Sequence, residues 1–257
     1  MQKTAVVAGA LLLAASGARA GWLSGCDESA PRHVVTPASG ITRVVVEARA
    51  GSLEIRGQRG LSQITADGTA CSSDRDFLKK IDLRLSRSGS ELHVDVLIPD
   101  HGGFFGNNEA RLDLTVNVPA GIPMEIHDSS GWMKVSDIGA ATINDSSGEM
   151  EVRNVQGNLT VHDSSGEVDI DGVSGDVTID DSSGAMTIAR VSGTVHVEDD
   201  GSGSIDIRDV KRDVTIDDDG SGSVRVADVT GNFTLRMKGS GDVDYLRVGG
   251  RVSVPRD

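Results

Sequence analysis

The stretch that decides the fold is residues 163–181, which read DSSGEVDIDGVSGDVTIDD. Apolar and polar residues alternate in E-V-D-I-D and again in D-V-T-I-D, and a period of two indicates a half-buried strand. Val168 and Ile170 therefore point to one side in the first segment, and Val177 and Ile179 do so in the second. The stretch thus contains two short strands and the turns that follow them.

This unit recurs along the C-terminal half of the chain in steps of 17, 18, 18, 19, 19 and 19 residues. Its first turn reads D-S-S-G at Asp128, Asp145, Asp163 and Asp181, D-G-S-G at Asp200 and Asp219, and K-G-S-G at Lys238. One unit cannot bury its own apolar face, but units stacked at a strand spacing of about 4.8 Å bury a continuous aliphatic column. We therefore predict an all-β, single-stranded β-solenoid, similar to a parallel β-helix, with short two-strand coils of 17–19 residues. The glycine of each turn is expected to supply a positive φ, and the serine before it a hydrogen bond within the turn or to its stacked neighbour.

Composition and charge agree with such a thin, repetitive core. Hydrophobic residues make up 37% of the 257 residues, but aromatic residues only 3%, so Val, Ile, Leu and Met must form the core. The formal net charge of −14 disfavours binding to nucleic acid or anionic lipid and favours cations or basic partners.

The N-terminus predicts export. Residues 1–20 combine Lys3, a short apolar run and the small-x-small site Ala18-Arg19-Ala20, which is typical of a secretory signal peptide. No later run has the length of a membrane span.

Two interpretations of Cys26 remain open. Two cysteines in an exported protein favour a Cys26–Cys71 disulfide. However, Leu23-Ser24-Gly25-Cys26 also resembles a lipobox. In that case a lipid on Cys26 would anchor the protein as an outer-membrane lipoprotein.

The remaining chain is divided by the regularity of its pattern. We expect an N-terminal extension at 21–40, an irregular β region with the first coils and a cap at 41–127, and the regular seven-coil solenoid at 128–257. Residues 74–80 could form one or two helical turns.

The acidic turns are the candidate cation site. Asp181, Asp199, Asp200, Asp218 and Asp219 should stack along one edge, where carboxylates together with serine and carbonyl oxygens could bind Ca²⁺ weakly. The alternative is that these residues only form turns, because aspartate hydrogen-bonds its own backbone there. No other cofactor is predicted.

Three aromatic residues are candidates for contact with a partner: Phe104 and Phe105 in a Gly/Asn-rich loop, and Trp132, where sister coils have Glu or Ala. The alternative for Trp132 is packing under a loop. The adjacent His, Asp and Ser at 127–129 and 162–164 do not predict catalysis, because they lie in a repeating turn whose histidine is replaced in other coils. No catalytic residues are predicted.

Several motifs resemble a bacterial family of adhesin-like proteins of unknown function, related to the head domain of auto-transporter adhesins. They are A-G-S-L-E-I-R-G at 50–57, V-P-A-G at 118–121 and tandem S-G-x-[VMI]-x-[VI] repeats, within roughly residues 40–254. The resemblance implies attachment at the cell envelope or surface and brings no catalytic residues.

The function predicted from the sequence is a non-enzymatic, periplasmic or extracellular solenoid acting as an adhesin-like interaction or scaffold module. Its partner would be a protein or glycan of the cell envelope. The alternatives are a polysaccharide-active β-helix enzyme, and a calcium-binding or self-associating structural protein.

Overall fold

The computed structural model describes residues 26–99 and 110–255, which form two facing sheets of stacked strands and one short helix. The signal-peptide prediction and the Phe104–Phe105 loop lie outside these residues. Strands are numbered in chain order. The first sheet contains, from one edge to the other, β1 (Glu28–Pro37), β4 (Gln63–Ser72), β7 (Ala110–Pro119), β3 (Leu53–Gln58), β9 (Met133–Ser136), β11 (Met150–Asp163), β12 (Val168–Val173), β14 (Met186–Val191), β16 (Ile205–Val210), β18 (Val224–Val229) and β20 (Val243–Val248).

The second sheet contains the alternate strands of the chain. In order they are β5 (Asp82–Ser88), β6 (Glu91–Leu97), β2 (Arg43–Glu47), β8 (Met124–His127), β10 (Gly139–Asp145), the C-terminal half of β11, β13 (Val177–Asp181), β15 (Val195–Asp200), β17 (Val214–Ser221), β19 (Phe233–Ser240) and β21 (Val252–Ser253). From β3 and β2 onward all pairings are parallel, so each coil places one strand in each sheet. The predicted β-solenoid of two-strand coils is confirmed.

The core lies between the sheets and is built from the predicted inward aliphatic residues. In the coil that decides the fold, Val168, Ile170, Val173, Val177 and Ile179 are each at most 1% exposed. Complete burial of such a side chain contributes roughly 1.5–3 kcal/mol before the conformational entropy is subtracted.

The turns between coils depend on glycine, as predicted. Gly166 and Gly184 have φ of +146° and +145°, and a Cβ added at Gly184 would lie 1.5 Å from the carbonyl oxygen of Gly166 in the coil above. The stacking therefore requires both the conformation and the missing side chain. The preceding serine also bonds to its neighbour, since the hydroxyl of Ser183 donates to the Ser164 carbonyl at 3.3 Å.

The N-terminal end of the solenoid is closed. β1 pairs antiparallel with β4, and helix α1 (Arg75–Leu78) packs beside β1 and β4. Asp74 caps this helix by accepting from the backbone N–H groups of Asp76 and Phe77, and the helix falls within the predicted residues 74–80. Strand β1 was not predicted, because Pro31 and Pro37 interrupt its alternation; an edge strand tolerates proline.

Candidate functional site

A column of six aspartates runs along one edge of the solenoid. Residues in register across successive strands place one carboxyl group per coil at the same position; this aspartate column consists of Asp128, Asp145, Asp163, Asp181, Asp200 and Asp219. Its members are between 0% and 6% exposed, and neighbours are one strand spacing, about 4.8 Å, apart. Asp181, Asp200 and Asp219 are in register, as the predicted stacking requires, and they are buried because the first residue of each turn still points into the sandwich.

The hydrogen bonds of the column divide it into two parts. In the D-S-S-G turns one carboxyl oxygen accepts from a backbone N–H, as Asp128 does from Ser129 at 2.8 Å and Asp181 from Ser183 at 3.1 Å. In the D-G-S-G turns glycine replaces the first serine, and both carboxyl oxygens of Asp200 are buried without a hydrogen-bond partner among the described residues. The carboxyl groups near the C-terminal end of the column therefore have the fewest hydrogen bonds. In the next coil Lys238 takes the position of the aspartate, beside Asp219.

Burial disfavours the charged form of these groups. Desolvation, followed by repulsion from Asp181, Asp219 and Asp199, raises the pKa of Asp200 to about 7. Desolvation likewise raises the pKa of Asp128 to about 7 and that of Asp163 to about 6. Like charges at this spacing cannot all be ionised without a large cost. The column can therefore hold protons near neutral pH.

The remaining members follow the same direction. Desolvation raises the pKa of Asp145, Asp181 and Asp219 as well. Because several interacting carboxyl groups titrate together, their protonation belongs to the column as a whole.

The five residues predicted to bind calcium do not all face the same way. Asp181, Asp200 and Asp219 belong to the buried column, whereas Asp199 is exposed and Asp218 half-buried, since successive residues of a strand point to opposite sides. Within residues 26–99 and 110–255, no three His, Cys, Asp or Glu side chains are grouped so that they could hold a metal ion. Calcium binding at these turns stays a prediction.

Trp132 lies on the outer face of the first sheet and is 49% exposed. On one side it borders a shallow groove of about 330 Å³; the lining residues include Ser52, Glu54, Asp67, Thr69 and Asp113. On the other side it borders a second groove of about 300 Å³, lined by Met133, Lys134, Glu149 and Glu151. An indole between two grooves with hydroxyl and carboxylate groups is suited to contact a ligand.

The acidic residues of the first groove were not singled out from the sequence. Asp67 and Asp113 lie on β4 and β7, two antiparallel strands of the irregular region, and only the pairing of β7 with β3 brings them toward Trp132. The single available signal was the bulky Trp132 at a position held by small or acidic residues elsewhere.

The histidines beside the turns form no catalytic arrangement with the aspartates that follow them. His127 contacts Glu125 on the outer face at 2.9 Å, while Asp128 is buried. His162 lies 3.8 Å from Asp180, while Asp163 is buried. The histidine and the next aspartate thus point to opposite sides of the strand.

The predicted disulfide is confirmed. Cys26 is bonded to Cys71, with 5.6 Å between their Cα atoms, and the bond joins the start of β1 to β4. A disulfide of this kind is typical of an oxidising compartment. Among the described residues no helix has the length and hydropathy of a membrane span.

Comparison with solved structures finds proteins that are similar to this chain at low identity. A putative adhesin from Parabacteroides merdae is 13% identical, with 89% of this chain and 97% of that chain covered and a TM-score of 0.42. A putative cell adhesion protein from Clostridium sporogenes is 14% identical, with 88% and 98% covered and a TM-score of 0.33. A putative lipid binding protein from Parabacteroides distasonis is 12% identical, with 88% and 97% covered and a TM-score of 0.38.

No curated protein matches the chain significantly. At such identities and TM-scores the individual structures carry no argument about function. The model of the Toastrack DUF4097 family, however, matches residues 41–254, which is most of the chain. We conclude from this match, together with the stacked two-strand coils, that the chain belongs to the Toastrack DUF4097 family.

Proposed function

We propose that this protein is a non-enzymatic interaction module of the cell envelope, which presents the outer face of its first sheet to an envelope glycan. The observation that carries the proposal is the half-exposed Trp132 between two polar grooves. Placement outside the cytoplasm is supported by the signal-peptide pattern at residues 1–20 and by the Cys26–Cys71 disulfide.

The chemistry of the Trp132 face favours a sugar that carries hydroxyl and ammonium groups. The indole offers an apolar surface and attracts cations over its ring. The carboxylates of Glu54, Asp67 and Asp113 accept hydrogen bonds from such groups. The net charge of −14 adds long-range attraction for a cationic ligand and repulsion for an anionic one. Amino sugars satisfy all three conditions.

The face is also suited to recognition because its scaffold is rigid. Trp132 and Met133 lie between β3 and the next coil: the Trp132 carbonyl accepts from the Leu53 N–H at 3.0 Å, and the Met133 N–H donates to the backbone carbonyl of Glu149 at 2.7 Å. A contact surface held by parallel strands on both sides loses little entropy on binding.

Tryptophan fluorescence tests the proposal. The exported chain carries Trp22 and Trp132, so a Trp22→Phe background leaves Trp132 as the only indole. Soluble chitosan oligosaccharides and muropeptides released from purified peptidoglycan serve as probes. We expect a saturable change in emission of the Trp22→Phe protein. Calorimetric titration, which needs no indole, should show at least about tenfold weaker binding after Trp132→Ala, as for a central interface residue.

The matched control is Trp132→Phe, which keeps an aromatic face and should retain most of the affinity. Asp113→Asn should weaken binding of the amino-sugar probe more than that of an acetylated one. Equal binding by Trp132→Ala and by the background protein, or binding of neither probe, would show that this face is not the contact surface.

A further inference from the structure

No described residue of the chain covers the C-terminal coil of the solenoid. In register, Val243, Tyr245 and Val248 continue the inward positions of Val224, Val226 and Val229. The three residues of β18 are at most 2% exposed, whereas Tyr245 is 54% exposed and Val243 and Val248 are only half-buried. The ring of Tyr245 contacts the fully buried Phe233, with 6.3 Å between centroids, so Tyr245 touches the core although about half of its surface is exposed.

The last strand of each sheet at this end is paired on one side only among the described residues. Within residues 26–99 and 110–255, β20 pairs only with β18, and β21 only with β19. Each sheet therefore ends in a strand whose outer row of N–H and C=O groups has no strand partner among the described residues. A free, apolar strand edge is a template for pairing with another chain.

The opposite end of the solenoid differs, because its edge strands are covered by a cap. There β4 runs antiparallel to the stack and to β1, the edge strands β1 and β5 contact each other, and Arg32 donates to the carbonyls of Ile81 and Leu78 at 2.8 and 2.9 Å, which ties β1 to the end of α1. A head-to-tail contact would therefore place parallel coils against a closed cap. The open coil of a second copy, in contrast, offers the same two features: an unpaired strand edge and partly exposed apolar side chains.

The charge distribution also favours a second copy at this end. Residues 236–255 carry four basic and two acidic side chains, whereas the whole chain carries 25 and 39. The strongly acidic part of the rod is thus kept away from the open end, and two rods can meet there with little repulsion. A basic partner would instead be drawn to the acidic sides.

We propose that two copies of this chain associate through their C-terminal coils, with β20 of one copy pairing antiparallel to β20 of the other. A two-fold axis normal to both sheets places first sheet beside first sheet and second beside second. The two apolar cores then become continuous, and the edge strands satisfy each other. Such an isologous contact closes after two copies and does not propagate into a filament.

The contact is small and its affinity should be moderate. A sandwich about 10 Å thick presents an end that buries on the order of 1,000 Å² in total, at the low end for specific interfaces. We therefore expect a dissociation constant in the micromolar range. The resulting dimer would present the Trp132 face twice, on either side of the junction.

Sedimentation velocity of the exported chain, from about 1 µM to about 500 µM, tests this proposal. The expected result is a monomer that converts to a dimer, with no larger species. Tyr245→Lys places two ammonium groups opposite each other at the junction and should weaken association at least about tenfold. Val35→Lys is the matched control, because Val35 is 47% exposed on β1 at the closed end; it should leave association unchanged.

A cross-linking experiment keeps the proposal testable if Tyr245→Lys disturbs folding. Under oxidation, Tyr245→Cys at the centre of the junction should form a covalent dimer, while Val35→Cys should not. Sedimentation as a monomer over the whole range would overturn the proposal, whether the coil is then bare or covered by another part of the same chain. Equal loss of association in Val35→Lys, or growth beyond a dimer, would also overturn it.

Discussion

The replacement of Asp200 by asparagine should stabilise the protein at alkaline pH and leave it unchanged in acid. Asp200 is fully buried near the end of the aspartate column, and neither of its carboxyl oxygens has a hydrogen-bond partner among the described residues. Asparagine has nearly the same shape, carries no charge, and can donate from its amide to the carboxyl groups of Asp181 and Asp219.

The magnitude follows from the pKa of Asp200. Burial raises the pKa of this carboxyl group from 3.8 to about 7 in the folded protein. Below about pH 4 both folded and unfolded chains hold the proton, so the free energy of unfolding carries no penalty from this group. As pH rises from 4 to 7 the unfolded chain loses the proton first, and stability falls by about 1.4 kcal/mol per pH unit.

The full penalty at pH 8 is therefore at most about 4 kcal/mol. Because Asp200 titrates together with Asp181 and Asp219, which repel its charge, we expect Asp200→Asn to recover about 2–4 kcal/mol at pH 8. For a domain of this size that corresponds to a rise in melting temperature of roughly 5–12 °C.

The assay is thermal and urea unfolding, followed by circular dichroism at intervals between pH 4 and pH 8. Glu198→Gln is the matched control, because Glu198 lies on the same strand but is exposed and does not contribute to the raised pKa of Asp200; its stability should follow that of the wild type. A gain that is the same at pH 4 and pH 8, or a loss of stability at pH 8, would refute the burial argument.

Three further predictions concern other parts of the molecule. Gly184→Ala should destabilise the protein by several kcal/mol, since the added Cβ would collide with Gly166. Gly60→Ala should cost only about 1–2 kcal/mol, because nothing lies within 4 Å of its Cβ position. Urea midpoints compare the two variants, and equal costs would contradict the stacking argument. Cys71→Ser should lower the free energy of unfolding by about 2–4 kcal/mol, because it releases a loop of 45 residues. In reductant the wild type should be no more stable than this variant. An intact mass with lipid on Cys26 would contradict the disulfide. If Asp181, Asp199, Asp200, Asp218 and Asp219 bind Ca²⁺, titration at millimolar concentration should release or absorb heat and raise the melting temperature; no change in either disproves the calcium hypothesis.

The regular half of the fold could be predicted almost residue by residue. Each coil repeats two alternating segments and a glycine turn, so Val168 and its sister residues point inward by the same local rule. The irregular half was predicted less completely. Its strands β4, β5 and β6 have usable alternation, but the antiparallel closure by β1 depends on a pairing between residues about 35 positions apart, which no local pattern encodes.

The acidic turns show where local reasoning stopped. The sequence by itself determined that the aspartates stack, because the spacing of the repeat sets the register. Only the tertiary structure decided that they are buried, because burial depends on how closely the two sheets approach at that edge. The same applies to the open C-terminal coil: its inward pattern is visible in the sequence, but its exposure follows from the absence of a strand beside it among the described residues.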